Sequence, residues 1–235
     1  MTNPYEPGAD AAGAARTEVA YASNTLWTRI LIGTLVAAAG ADVLGLLIES
    51  INLLTDMRSV DWLFVIVLTV LQGLAALLLL PTNVITWLVW QYRAANNAVA
   101  LSSAPDPSGG RSLFKATRVF DYGPGTSLVW WFVPFANLLM PYRVVEAIWT
   151  ASNAPLRDPG AAFQRRASIW WGFWIASNIS ANLAFRLTGF DGQISGVGSV
   201  AWWFAHALGL GSAIAAIEVV RALNATQERA AEAIA

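Results

Sequence analysis

Long uncharged apolar runs alternate along the chain with short clusters of charged and turn-forming residues. Four runs stand out. Residues 30–48 are interrupted only by Asp42, residues 62–90 open a stretch that stays uncharged to Tyr92, and residues 168–185 and 194–220 complete the set. A run of about 17–25 apolar residues matches a hydrocarbon core of about 30 Å, so each predicts a transmembrane helix. The second run would measure about 46 Å as a helix at about 1.5 Å per residue; it must tilt, leave the membrane or bend, and Pro81 is the place to bend. A fifth apolar segment, residues 128–140, is short and broken by Pro134 and Asn137.

Charge placement decides how that segment lies. If it crosses, the fourteen Lys and Arg divide evenly between the two sides. If it dips in and returns, Arg16, Arg29, Arg93, Arg111, Lys115, Arg118, Arg143, Arg157, Arg165, Arg166, Arg221 and Arg229 share one side, leaving Arg58 and Arg186 opposite. Cytoplasmic loops carry the excess of basic residues, which favours the second arrangement over a short kinked fifth span. The expected fold is therefore an all-α integral membrane protein with four transmembrane helices plus one proline-broken re-entrant or short fifth segment. Residues 1–26, rich in Pro, Gly and Ala, lack a signal-peptide pattern and read as a mobile cytoplasmic tail. Residues 27–221 form the helical membrane domain, and residues 222–235 a cytoplasmic helical tail.

Composition narrows the function. The chain is 56% hydrophobic and 12% charged, about half the charge of a soluble domain. A net charge of −1 gives no basic field for nucleic acid. With no Cys and one His, disulfides, thiolate metal sites and two-histidine zinc motifs are excluded. Phosphate-cradling Gly-rich loops and a nucleophile elbow are absent. No cofactor, metal or catalytic residue is expected, and membrane lipids are the partner the composition implies.

Small residues at four-residue spacing let membrane helices approach closely. Gly33, Ala37, Ala41 and Gly45 form such a stripe in the first span, Ser168, Gly172, Ala176, Ser180 and Ala184 in the third, and Ala201, Ala205, Gly209 and Ala213 in the last. Most of the twelve Trp fall near expected boundaries (Trp27, Trp62, Trp90, Trp130, Trp131, Trp149, Trp170, Trp171), which reads as an interfacial belt in preference to aromatic cages for quaternary amines. Arg111, Lys115, Arg118, Arg157, Arg165 and Arg166 could contact anionic lipid, although topology-setting charge explains them as well.

Ionisable groups at membrane depth are costly unless paired. Asp42 and His206 are the two that qualify, each following a member of its helix's small stripe. If those stripes meet, carboxylate and imidazole can share a proton, which suits relay or pH sensing; a purely structural hydrogen bond, or Asp42 reaching the outer interface, are the alternatives. Asn178 and Asn182, one turn apart, present amides for interhelical hydrogen bonds or for a polar solute, with Gln72 and Asn83 able to contribute to either. In the broken segment, Pro134 and Pro141 each strip a helical hydrogen bond that Asn137 could restore, ahead of Tyr142 and Arg143. That backbone either fixes a broken helix or offers carbonyls to an ion or solute.

The string Trp130-Trp131-Phe132-x-Pro134-x-x-Asn137-Leu138-x-x-Pro141-Tyr142, with Trp90-x-x-Arg93-x-x-Asn96 before it and Trp149-x-x-Ser152 and Trp170-Trp171 after it, resembles a family of bacterial, often actinobacterial, multi-pass membrane proteins catalogued as a domain of unknown function. The likeness runs from about Trp62 to Arg221 and implies a helical domain in the bacterial cytoplasmic membrane, with no activity to carry over. Leu139 and Met140 depart from it, being apolar where the resemblance implies a polar or basic residue. The leading expectation is a non-enzymatic membrane scaffold engaging protein or lipid partners through cytoplasmic tails and loops. The alternative is a small transporter or proton-coupled sensor built on Asp42, His206, Asn178 and Asn182.

Overall fold

The computed structural model describes residues 20–54, 62–103, 123–188 and 196–235. Regular structure among them is wholly helical: α1 (Thr25–Leu54), α2 (Trp62–Ser103), the single turn α3 (Gly123–Thr126), two 3-10 turns (Val129–Trp131 and Ala136–Leu138), α4 (Met140–Ser152), α5 (Ala161–Thr188) and α6 (Gly196–Ile234). Three helices, α1, α2 and α6, are long and apolar enough to cross a membrane. α5 has 28 residues, enough length at about 1.5 Å per residue, but its Trp, Ser and Asn content and Arg165, Arg166 and Arg186 make it less apolar. The first half of α2 turns bare Leu outward, with Leu63, Leu77 and Leu80 each about 70% exposed, a surface that only an apolar solvent tolerates.

The helices outrun their apolar runs. α2 passes through Pro81 and continues to Ser103, because the stretch after Arg93 is rich in Ala, a strong helix former, and buries Ala94, Ala95, Ala98 and Leu101. α6 likewise continues past Arg221 and buries Leu223, Gln227 and Ala230. The stretch 222–235, expected to be a separate tail, is thus core-forming helix. The expected mobile tail of residues 1–26 also ends too late: Ala22 exchanges backbone hydrogen bonds with the Asn97 amide at 3.1 and 2.8 Å, and Arg93 bonds Asn24 Oδ1 and the Ser23 carbonyl. Residues 1–19 of that tail lie outside the described residues.

α6 lies between α5 and α1, and α2 packs on α1. Thr25 with Glu228, Thr28 with Asn224 and Ser50 with Trp203 run α1 antiparallel to α6, and Thr188 with Trp202 does the same for α5 and α6. The packed face of α1 follows Leu31, Leu35, Ala38, Asp42, Gly45 and Glu49, alternating steps of four and three, the 3.5-residue repeat of helices that stay in contact. The expected stripe of Gly33, Ala37, Ala41 and Gly45 is not this face. A strict step of four drifts about 40° per step around a helix of 3.6 residues per turn, so Gly33 and Ala37 point outward and only Gly45 is buried. On α5, Ser168 and Gly172 are exposed for the same reason and Ala184 is buried, whereas Ala205 and Ala213 of α6 are buried.

The broken segment has no helix through its prolines. Pro141 falls in the first turn of α4, where a missing N–H costs nothing. Pro134 sits between the 3-10 turns, with Phe135 at φ 62°, and the Asn137 backbone N–H bonds the Val133 carbonyl at 3.0 Å. Trp171 Nε1 donates to the Leu138 carbonyl at 3.0 Å, so an indole from α5 satisfies one backbone carbonyl of the broken segment. Ser127, just before the segment, bonds α2, and Ser152, at the end of α4, shares a donor from α6 with α2. Gln91 Nε2 donates to the Ser127 carbonyl at 3.5 Å, and Gln227 Nε2 donates to both the Ala94 carbonyl and Ser152 Oγ, at 2.8 and 2.9 Å.

Candidate functional site

Asp42 and His206 meet midway along the α1–α6 contact. His206 Nδ1 lies 3.1 Å from Asp42 Oδ1, and both side chains are partly buried, at 17% and 24% exposure. On the other side of the ring, His206 Nε2 lies 3.1 Å from Gln72 Nε2 of α2. An amide nitrogen only donates, so Nε2 accepts and Nδ1 carries the proton that is donated to Asp42. Two glycines make the room. A Cβ on Gly45 would come within 2.5 Å of His206 Nε2, and one on Gly209 within 2.8 Å of Asp42 Oδ2. Each glycine therefore clears space for the other helix's polar group, which is what their small-residue positions in α1 and α6 accomplish.

Asp42 also borders a half-open cavity of ≈ 420 Å³ lined by residues of α1, α2, α5 and α6 and of the first 3-10 turn. Its floor is aromatic. Trp87, Trp131, Trp170 and Trp174 line it, with Trp87 stacked on Trp170 at 5.0 Å and edge-on to Trp131 at 5.9 Å, and Trp131 edge-on to Trp174 at 5.7 Å. Gln91, fully buried, holds this floor: its Oε1 accepts from Trp87 Nε1 at 3.0 Å and from Trp131 Nε1 at 2.9 Å. Asn83, Ser177, Asn178 and Ser212 add polar groups to the wall. Asn83 Oδ1 is buried without a hydrogen-bond partner, an unfavourable state for a polar atom.

The interfacial belt read from the sequence is corrected here. Trp90, Trp149, Trp170 and Trp171 are buried, packed in one core with Trp87 and Phe163. Trp90 donates to Thr28 Oγ1 at 3.2 Å, and Trp171 stacks on Trp174 at 4.6 Å. The membrane-facing half of α2 carries no Trp between residues 63 and 86; the indoles gather instead where α2, α5 and the 3-10 turns converge.

Other candidates separate by position. Asn178 lines the cavity, but its Nδ2 bonds the Trp174 carbonyl at 2.7 Å; Asn182 is exposed, bonds the Asn178 carbonyl at 2.8 Å and does not line the cavity. Both amides thus turn back on their own helix instead of bridging helices. Tyr142 donates to Glu146 Oε1 at 2.6 Å and lies 3.2 Å from Ser168 Oγ. Arg143, Arg157, Arg165 and Arg166 are exposed; Arg111, Lys115 and Arg118 lie outside the described residues. Among the described residues no three His, Asp or Glu side chains converge as metal ligands.

Sequence reasoning missed Glu49, buried two turns beyond Asp42 with Asn52 3.4 Å away, and it passed over Gln91, Trp87 and Trp174. The three-residue steps Trp87-x-x-Trp90 and Trp171-x-x-Trp174 carried a signal, since they put indoles on one helix face. The chain belongs to the family described as a domain of unknown function, DUF4328, whose model matches residues 55–225. No curated protein and no solved structure matches it.

Proposed function

We propose that this DUF4328 protein is a non-enzymatic, four-span membrane protein that binds a small solute at membrane depth and ties its occupancy to the protonation of the Asp42–His206 pair. The observation that carries this reading is the cavity itself, ≈ 420 Å³ between the long helices with Asp42 in its wall. Intramembrane ionisable groups on a cavity wall are the usual elements of such sites. Catalysis draws no support, because both nitrogens of the one His are engaged, by Asp42 and by Gln72, leaving none to activate a nucleophile.

The same contacts support a topology of four spans and a re-entrant segment. α5, antiparallel to α6, serves as the fourth span. A re-entrant course for residues 128–140 is supported by Ser127 and Ser152, which both sit beside Gln91–Ala94 of α2. The end of the bundle that holds both described termini carries Arg93, Arg165, Arg166 and Arg221 and faces the cytoplasm of a bacterial cell, with exposed Arg143, Arg157, Arg165 and Arg166 against anionic headgroups. A scaffold acting through a free C-terminal tail draws less support, because the end of α6 buries Leu223, Asn224, Thr226, Gln227 and Ala230.

The test is native mass spectrometry of the full chain lifted from membranes, beside Ala213→Leu, which puts bulk into the cavity wall. A small-molecule adduct on the wild type that is reduced in Ala213→Leu, with thermal stability retained, is the expected result. Equal adducts on both proteins, or none on either, would overturn the reading.

A further inference from the structure

The chemistry lining the cavity selects its ligand. Among the described residues Asp42 is the only charged one in its wall, which holds no Lys or Arg. Ser177 Oγ and Asn178 Nδ2 both bond the Trp174 carbonyl, and the indoles of Trp87 and Trp131 both bond Gln91. Asp42 uses Oδ1 for His206, with Oδ2 lying against Gly209, so a cation is the counter-charge the wall lacks. An aromatic floor offers the negative faces of indoles, the surface to which an ammonium group is drawn.

From these three features, and resting on the solute-binding reading above, we infer that the cavity binds a protonated amine with an apolar or aromatic body. The ammonium group donates to Asp42, and the body lies over Trp87, Trp131 and Trp174. An anion would meet the carboxylate without a compensating cation. A neutral apolar molecule would leave the Asp42 charge without a counter-ion from the ligand.

Charge balance makes the binding proton-linked. With His206 neutral, Asp42 carries one negative charge and one ammonium neutralises it. With His206 protonated, the pair is already neutral and an added ammonium leaves a net positive charge in a low-dielectric site. Where the pair is protonated, uptake of the amine displaces that one proton; where His206 is neutral, none is released, and in neither case is a covalent bond made or broken. Among the described residues, α2 offers Gln72 and Asn83 near the pair, α5 offers Ser177 and Asn178, and α6 stacks Trp202 on His206, none of them titrating near neutral pH; the nearest other carboxylate on α1 is Glu49, two turns away. Protonation also requires Gln72 to rotate its amide so that Oε1 accepts from Nε2.

The experiment is calorimetric titration of the full chain in nanodiscs with three probes of one shape: phenethylamine, its uncharged isostere propylbenzene, and the anion 3-phenylpropionate. Phenethylamine should bind at least about 30-fold tighter than propylbenzene, the equivalent of one desolvated cation–π contact. Its affinity should rise with pH at up to about tenfold per unit while His206 is protonated. Asp42→Asn, nearly isosteric, should abolish the preference, and His206→Gln should abolish the pH slope while keeping the preference. Equal affinity for amine and isostere, preference for the anion, no binding of any probe, or a pH slope that survives His206→Gln would each overturn the amine assignment. The cavity-binding reading fails separately, through the Ala213→Leu comparison.

Discussion

Gln91→Leu isolates the group on which the cavity floor depends. The glutamine oxygen accepts from two indoles, Trp87 Nε1 at 3.0 Å and Trp131 Nε1 at 2.9 Å, and the residue is fully buried. Leucine fills similar space without an acceptor, so two N–H groups lose their partner together. Each buried donor left unpaired costs about 1–3 kcal/mol, giving roughly 2–6 kcal/mol for the pair. Losing the bond from Gln91 Nε2 to the Ser127 carbonyl adds to the loss. The assay is reversible denaturant unfolding in mixed micelles followed by tryptophan fluorescence, with near-ultraviolet circular dichroism reporting the packing of the indoles. Gln91→Glu retains an acceptor for both indoles and should lose less than Gln91→Leu. Asn96→Leu removes an exposed amide that bonds only the Tyr92 carbonyl, and it should stay within about 0.5 kcal/mol of wild type. If Gln91→Leu also stays within about 1 kcal/mol, with an unchanged near-ultraviolet spectrum, the two-indole clamp is not what holds the floor.

Gly209→Ala should destabilise by about 1–3 kcal/mol because its Cβ would lie 2.8 Å from Asp42 Oδ2, whereas Gly33→Ala, with nothing within 4 Å, should stabilise by about 0.5–1 kcal/mol through helix propensity; unfolding shifts of the same sign would contradict the assigned face of α1. Tyr21 and Tyr142 hold their protons above the ordinary 10.0, Tyr21 through burial and then Glu228 and Glu232, Tyr142 through burial and then Glu146, with Ser168 opposing. Because the folded value is the higher one, this contribution to stability is present below about pH 10 and is lost as pH rises through the folded value. In an alkaline absorbance titration of the five tyrosines, Glu146→Gln should bring one late-titrating group earlier; an unchanged curve would rule out the Tyr142–Glu146 bond as a cause. The natural absence of Cys permits sided labelling: exposed Ser103→Cys and Ala162→Cys should react from the cytoplasm and Leu54→Cys, 84% exposed, from the other side. Opposite sidedness of the first two would mean that residues 128–140 cross.

The sequence by itself determined that the chain is helical and built around long apolar helices, because the length and purity of an apolar run are one-dimensional properties matched to a hydrocarbon thickness. It also isolated Asp42 and His206, since scarce ions at membrane depth are conspicuous without any structure. What only the tertiary structure decided is which residues share a face. A four-residue stripe looked like the contact surface of α1, but the 3.5-residue repeat of paired helices moved the surface to Leu31, Ala38, Asp42 and Gly45, and so put Asp42 itself against α6. The tryptophans read as a belt because linear position near a boundary cannot distinguish a ring facing lipid from one facing another helix. Their convergence on Gln91 joins residues 40 positions apart and depends on how the 3-10 turns pack against α2. The cavity exists for the same reason: Asp42, Asn83, Trp131, Asn178 and Gly209 come from four helices and a turn, and only their packing brings a lone carboxylate and an aromatic floor to the same volume.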